Sequence, residues 1–287
     1  MDENCFYKNL KISFSSEQIR FHVPSICLER LRRPMPMHSH GVGSYEVHYI
    51  AEGFGTLNIP SQSFPIVPGT LFVTGPELEH EQISLSEDPM LEYCVYLTVD
   101  RPDYALSRKN SHYSQFLSQN FWIGKGNETV LDLNQQMIHE LTLQPFGYEP
   151  VLESLLLRYL IELCRLGRVE EGKEMTASTL GISDPTLLSV EEAFLYHYDT
   201  LTLEELASSL GLSPRQTERF LLKNYNKSFQ EKKTQARMSA ALVMLRSTKA
   251  PVSSVAYSLG YSSAEHFTNA VKKYYQKTPT QIRRETS

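Results

Sequence analysis

The chain has 287 residues, 41% hydrophobic and 21% charged, a balance that fits about two globular domains and excludes a disordered chain. Four scattered cysteines with no CxxC pair argue against a zinc knuckle or redox motif. Met1 to Ser15 lacks the features of a secretory signal, and charges interrupt the longest apolar segment, VLESLLLRYLIELCRL, so a cytoplasmic protein with no membrane partner is expected. The net charge of −5 is unevenly spread: residues 1–184 hold 14 Lys and Arg against 24 Asp and Glu, and residues 185–287 hold 14 against 9, giving −10 and +5.

Residues 20–100 carry short apolar runs, YEVHYI, GTLNI, GTLFVT and LEYCVYLTV, separated by Gly and Pro, which predict a compact antiparallel barrel or sandwich. His38, His40, Glu46 and His80 fall within it. Strand alternation places Glu46 and His48 on one face and Tyr45, Val47 and Tyr49 on the other, and either set could point inward. A polar, His-bearing pocket suits a hydroxyl-rich ligand such as a sugar, because each group donates and accepts hydrogen bonds; structural hydrogen bonding and metal coordination are the alternatives. Trp122 is either a stacking platform for such a ligand or a packed core residue.

Beyond residue 128 the apolar spacing becomes helical, in VLDLNQQMIHEL and VLESLLLRYLIELCRL, with QPFGYEP as the break between them. Leu155, Leu156, Tyr159, Leu160 and Leu163 form an apolar stripe, for dimerisation or for packing on the barrel. Residues 168–186 are polar and aperiodic and are expected to be a linker.

The remainder contains one design twice. At an offset of 49, Leu203, Leu206, Ala207, Leu210, Gly211 and Ser213 fall on Val252, Val255, Ala256, Leu259, Gly260 and Ser262. Each set describes a short helix, a Gly turn and a Ser able to cap a second helix, which is a helix-turn-helix. At an offset of 50, Lys223, Tyr225, Lys227 and Ser228 match Lys273, Tyr275, Lys277 and Thr278, so an extra residue is expected in the second helix or cap of the second copy. Between the copies, Phe229 to Ser247 contains neither Gly nor Pro, and its 19 residues make a rod of about 28 Å. Such a rod can set two reading helices near the spacing of successive major grooves, about 34 Å.

The second copy, AYSLGYSSAEHFTNAVKKYYQKTPTQIR, resembles the DNA-binding domain of the AraC family of transcriptional regulators through Ala256, Gly260, Tyr261, Ser262, Phe267, Lys272, Lys273, Tyr275, Thr278, Pro279 and Arg283. Asn269, Val271 and Gln276 depart from the family pattern. The N-terminal half resembles the cupin-like sensing domain often found first in that family. The fold expected is therefore α+β: an N-terminal antiparallel β-barrel with a following helical pair over residues 1–167, the linker, and an all-α double helix-turn-helix over 187–287.

The resemblance implies promoter DNA and a small-molecule effector as partners, a homodimer, and RNA polymerase where the protein activates. Helix geometry makes Arg215, Gln216, Arg219 and Lys223 the candidate DNA contacts of the first copy, with Arg219 foremost, and Glu265, His266, Thr268, Asn269, Lys272 and Lys273 those of the second. Phe220, Leu221, Phe267 and Val271 are expected in the core. His38, His40, Glu46 and His80 are the candidate effector contacts. Five residues separate His40 from Glu46, and no His follows two residues after Pro68-Gly69, so the spacing departs from metal cupins and no metal, cofactor or catalytic residue is expected. A metal-dependent cupin enzyme with a DNA-binding appendage is the alternative reading.

Overall fold

The structure, a computed structural model, describes residues 4–33, 35–60, 62–100, 111–167, 185–225 and 227–284. The strands are β1 (Asn4–Tyr7), β2 (Ile12–Ser16), β3 (Ile19–Arg30), β4 (Met35–His38), β5 (Ser44–Glu52), β6 (Gly55–Ile59), β7 (Gln62–Ile66), β8 (Thr70–Thr74), β9 (His80–Ser84), β10 (Leu91–Val99) and β11 (Phe121–Lys125). They form a seven-stranded sheet, β1-β3-β10-β5-β8-β11 with β2 on β3, and a four-stranded sheet, β4-β9-β6-β7. Every strand pairing is antiparallel.

The larger sheet is covered on both faces, which explains why β8 and β10 are buried along their whole length. On one face Tyr45, Val47, Tyr49, Leu71, Val73 and Val95 join a core with α2 (Glu128–Leu143) and α3 (Tyr148–Leu166), through Leu133, Met137, Leu156, Tyr159, Leu160 and Leu163. The helical stripe thus packs on the sheet. Trp122 pairs with Val73 and packs against this same core, on the face away from His38 and His40, so it is a packing residue. On the other face Ile50 and Phe72 meet Met35, Leu57 and Ile66 of the smaller sheet. Glu46 and His48 share the alternation of Ile50, and so point between the sheets. A short helix, α1 (Ser114–Ser118), lies between β10 and β11.

The C-terminal helices are α4 (Pro185–Tyr196), α5 (Leu203–Ser209), α6 (Pro214–Tyr225), α7 (Phe229–Ser247), α8 (Val252–Ser258), α9 (Ala264–Tyr275) and α10 (Pro279–Arg284). Helix α4 takes up the last two positions assigned to the linker, because Pro185 suits the first turn of a helix; residues 168–184 lie outside the described residues. Reciprocal caps start four helices: Thr202 with Glu205, Ser213 with Gln216, Ser228 with Glu231 and Thr278 with Gln281. In the second copy the cap is Ser263, whose hydroxyl accepts from the His266 N–H at 3.1 Å. The extra residue therefore lies in the turn, not within the helix: Ser213 corresponds to Ser263, and Ser262 sits before the cap.

The α7 rod spans the residues expected and joins two cores. Phe229 at its start packs with Val190, Phe194, Leu206 and Leu221, while Met238, Ala240, Ala241 and Leu245 pack with Val255, Leu259, Phe267 and Val271. Helix α4 is shared with the N-terminal domain, since Leu195 enters the core between the two sheets and the Tyr196 hydroxyl donates to Glu29 at 3.3 Å.

Two expected outcomes follow from this packing. Gly260 has φ +75°, and an added methyl would overlap the Asp199 carbonyl and lie 2.8 Å from Arg237 Nη2, whereas Gly211 has φ +65° with open space around it. Gly260→Ala should cost about 2 kcal/mol or more and Gly211→Ala about 1 kcal/mol, read by urea unfolding. Glu29 faces Glu92 across β3 and β10, and burial together with that carboxylate raises its carboxyl to about 7. The folded state then holds a proton that the unfolded chain has lost between pH 4.5 and 7, so stability falls as pH rises through that window. Glu29→Gln should remove the fall and melt above wild type at pH 8, by up to about 3 kcal/mol, with no such gain below pH 4.5.

Candidate effector site and nucleic-acid interface

The fold brings four histidines to one carboxylate. His38 on β4 lies directly opposite His80 on β9, and His40 follows β4, held by its carbonyl accepting from the Glu77 N–H at 2.9 Å. Glu46 Oε2 lies 3.1 Å from His40 Nε2, 3.2 Å from His48 Nε2 and 4.0 Å from the Nε2 atoms of His38 and His80. All four Nε2 atoms are buried; those of His40 and His48 are within ion-pair reach of Glu46, while those of His38 and His80 have no hydrogen-bond partner. The Nδ1 atoms are engaged: His38 donates to the Pro36 carbonyl at 2.8 Å and His80 to that of Leu78 at 3.0 Å. His40 Nδ1 lies 2.8 Å from Glu191 Oε2, and His48 Nδ1 lies 3.1 Å from Glu92.

Burial opposes the imidazolium of His40, yet Glu46 and Glu191 outweigh it and raise the ring to about 10. Burial likewise opposes the charge on Glu46, but the surrounding imidazoles, His40 foremost, hold its carboxyl well below the ordinary value. His80 is pushed well down by burial and by its histidine neighbours. The four residues expected to act together are thus together, although at different depths.

Above the cluster, between the two-sheet domain and the C-terminal helical domain, lies a cavity of about 590 Å³. His38, His40 and Glu79 line it from the two-sheet side, and Glu191, Lys223, Tyr225 and Lys232 from the other. Glu46 and His80 lie behind it and are not among its lining residues. Burial pulls the Lys232 ammonium down to about 8 against the attraction of Glu191, and its Nζ stands 3.6 Å from the centre of the Tyr225 ring. Glu191, Tyr225 and Lys232 are site residues that sequence reasoning missed. Their sole sequence signal is a buried-type Glu inside an apolar helix, since their neighbours across the cavity lie far away in the chain.

On the reading helices, Arg215, Arg219 and Lys223 of α6 and Glu265, His266, Asn269, Lys272 and Lys273 of α9 are exposed, while Leu221, Phe267 and Val271 are buried and Phe220 half-buried. Two candidates serve their own helices instead. The Gln216 side-chain oxygen accepts from the Ser213 N–H at 2.9 Å and from its hydroxyl at 2.7 Å, closing a cap, and the half-buried Thr268 hydroxyl donates to the Ala264 carbonyl at 2.7 Å. Lys223 borders the cavity as well as the solvent-facing side of α6.

Residues 23–160 match the model of an AraC-like ligand binding domain, and residues 206–285 that of a helix-turn-helix domain. The Msm operon regulatory protein of Streptococcus mutans is 22% identical over 248 residues, 84% of this chain and 84% of its own. The HTH-type transcriptional activator RhaS of Escherichia coli is 24% identical over 254 residues, 86% of this chain and 87% of its own. Among solved structures, the C-terminal domain of AraT, a response regulator from Geobacillus stearothermophilus, is 30% identical, covering 35% of this chain and 84% of that one with a TM-score of 0.33. A two-sheet sensor with a polar, His-lined cavity, a duplicated helix-turn-helix with exposed basic reading helices, and family models for both halves lead to one conclusion: the chain belongs to the AraC family of transcriptional regulators.

Proposed function

We propose that this regulator binds promoter DNA through α6 and α9, as a homodimer, and responds to a hydroxyl-rich small molecule such as a sugar held in the cavity between its domains. The observation that carries the reading is the shared wall of that cavity. His38 and His40 belong to the sensor, and Glu191, Tyr225 and Lys232 to the DNA-binding domain, so an occupant touching both changes the free energy of their docking. Imidazole, carboxylate, phenol and ammonium together offer the donors and acceptors that neighbouring hydroxyls need. His38 and His40 are the direct effector contacts in this reading, with Glu46 and His80 supporting them from behind. Leu143, Phe146 and Val151, exposed around the turn between α2 and α3, are apolar residues of the helical pair left for a second copy. Activation would add RNA polymerase as a partner.

Arg215 and Arg219 are the first helix's readers, and Glu265, His266 and Asn269 the second's, with Asn269 suited to the two hydrogen bonds of adenine. Lys272 and Lys273 neutralise phosphates. No covalent step is assigned to any of these groups.

Binding to the promoter region beside the protein's own gene, with and without a panel of sugars, tests the whole reading. At least one compound should change operator affinity and raise the melting temperature, and a panel that moves neither would refute the sugar assignment. Arg219→Ala should lose about 1 to 3 kcal/mol of specific binding and relax sequence preference. Lys273→Ala should instead weaken binding evenly across sequences and reduce the salt slope by about 0.9. An Arg219→Ala variant with unchanged discrimination would remove that residue from the readers.

A further inference from the structure

The arrangement of protons in the histidine cluster is unusual. Because the Pro36 and Leu78 carbonyls can only accept, His38 and His80 carry their protons on Nδ1, leaving the Nε2 lone pairs aimed inward. His40 likewise turns Nδ1 to the Glu191 carboxylate and Nε2 to the centre. Ligand atoms of His38, His40, Glu46 and His80 all lie within 4.8 Å of one another. A single proton between His40 and Glu46 would satisfy that pair alone. The buried lone pairs of His38 and His80 would still face no donor, a cost that a protein interior ordinarily avoids.

The geometry points to a divalent transition-metal site formed by His38, His40 and His80 Nε2 with Glu46 Oε2, and latched to the DNA-binding domain through the Glu191 carboxylate that holds His40. Three imidazoles and one carboxylate suit zinc, cobalt, nickel or iron, and one cation accepts all four electron pairs at once. Each histidine already has the outer partner that fixes its tautomer, two of them backbone carbonyls and the third a carboxylate from the other domain. Glu46 and Glu191 together balance a charge of +2.

The latch follows from what else Glu191 holds. Its carboxylate also accepts from the Gly41 N–H at 2.9 Å, the Tyr96 hydroxyl at 3.0 Å and the Tyr225 hydroxyl at 3.3 Å. Tyr225 ends α6, the first reading helix. Undocking the DNA-binding domain removes the carboxylate behind His40 and weakens the metal site, and by linkage metal binding favours the docked arrangement by the same factor. A second grouping, Glu46 with His48 and Cys94, shares the carboxylate. It has fewer imidazoles, and His48 is stacked on Phe72 at 4.4 Å with its Nδ1 on Glu92. The site lies behind the His38 and His40 wall of the effector cavity, but metal binding is read with no effector present, so either proposal can fail alone.

The test uses the full chain stripped with chelator and titrated with Co²⁺ and Zn²⁺, following bound metal, the visible Co²⁺ spectrum and affinity for promoter DNA. One ion per chain and tetrahedral-type Co²⁺ bands are expected, with affinity reduced at least about tenfold in His38→Ala and His80→Gln. Glu191→Gln leaves all four ligands in place and should bind metal about 10 to 100 times more weakly, and saturating Zn²⁺ should change DNA affinity in wild type but not in this variant. Circular dichroism and melting curves keep misfolded variants out of the comparison; the half-buried His38 is the replacement that disturbs packing least. A wild type that retains no stoichiometric metal overturns the site, as does loss of binding in His48→Gln or Cys94→Ala but not in His38→Ala. Equal metal affinity in wild type and Glu191→Gln overturns the latch.

Discussion

The docking of the two domains depends on one buried carboxylate. Glu191 is 4% exposed, and removing an ionised carboxylate from water costs several kcal/mol unless its oxygens are fully engaged. Here His40, Gly41 and Tyr96 of the sensor and Tyr225 of its own domain all approach it. Separating the domains would strip the first three of their acceptor at once. The same helix drives Leu195 into the core between the sheets, so apolar burial and the polar network favour one docked position.

The sheet is what allows such a network to exist. Its two faces have different tasks: odd positions of β5 meet the helical pair in an apolar core, and even positions meet the smaller sheet, where Glu46 and His48 lie beside Ile50 and Phe72. Charges in that interior are poorly screened, which is why Glu46 and His40 move so far from their ordinary titration in opposite directions. A cavity roofed by the other domain lies in front of this cluster, with His38 and His40 on its wall. The two domains meet across a shared cavity wall, so the proposed coupling needs no long relay of side chains.

The DNA-binding half is organised around α7. Its alanines at 236, 240 and 241 let the second helix-turn-helix pack closely, while Phe229 anchors the first. Arg237 reinforces the joint by donating to the Tyr198 carbonyl at 3.0 Å and to that of Asp199 at 2.6 Å. The Gly260 turn presses on that same stretch of backbone. Short helices with reciprocal caps can be held rigidly this way, leaving the outer faces of α6 and α9 exposed.

Local pattern determined a great deal. Periodicity and turn residues marked the strands, the helical pair and the α7 rod, because alternation and three-to-four spacing are imposed by the geometry of each element itself. The repeated Gly and Ser signals located both helix-turn-helix units, and the inward fate of Leu221, Phe267 and Val271 could be read from their spacing. The His38, His40, Glu46 and His80 set was also visible as a group. Tertiary structure alone decided which face of β5 points between the sheets, that Trp122 packs on the helical side, that Gln216 and Thr268 serve their helices, and that the turn of the second copy holds the extra residue. It also decided which side chains of the cluster meet. His38 and His80 meet through the pairing of β4 with β9, and Glu191 reaches His40 across 151 positions of chain. Contacts between residues so far apart leave no periodic trace in sequence, since they arise from how elements pack and not from how any one of them is built.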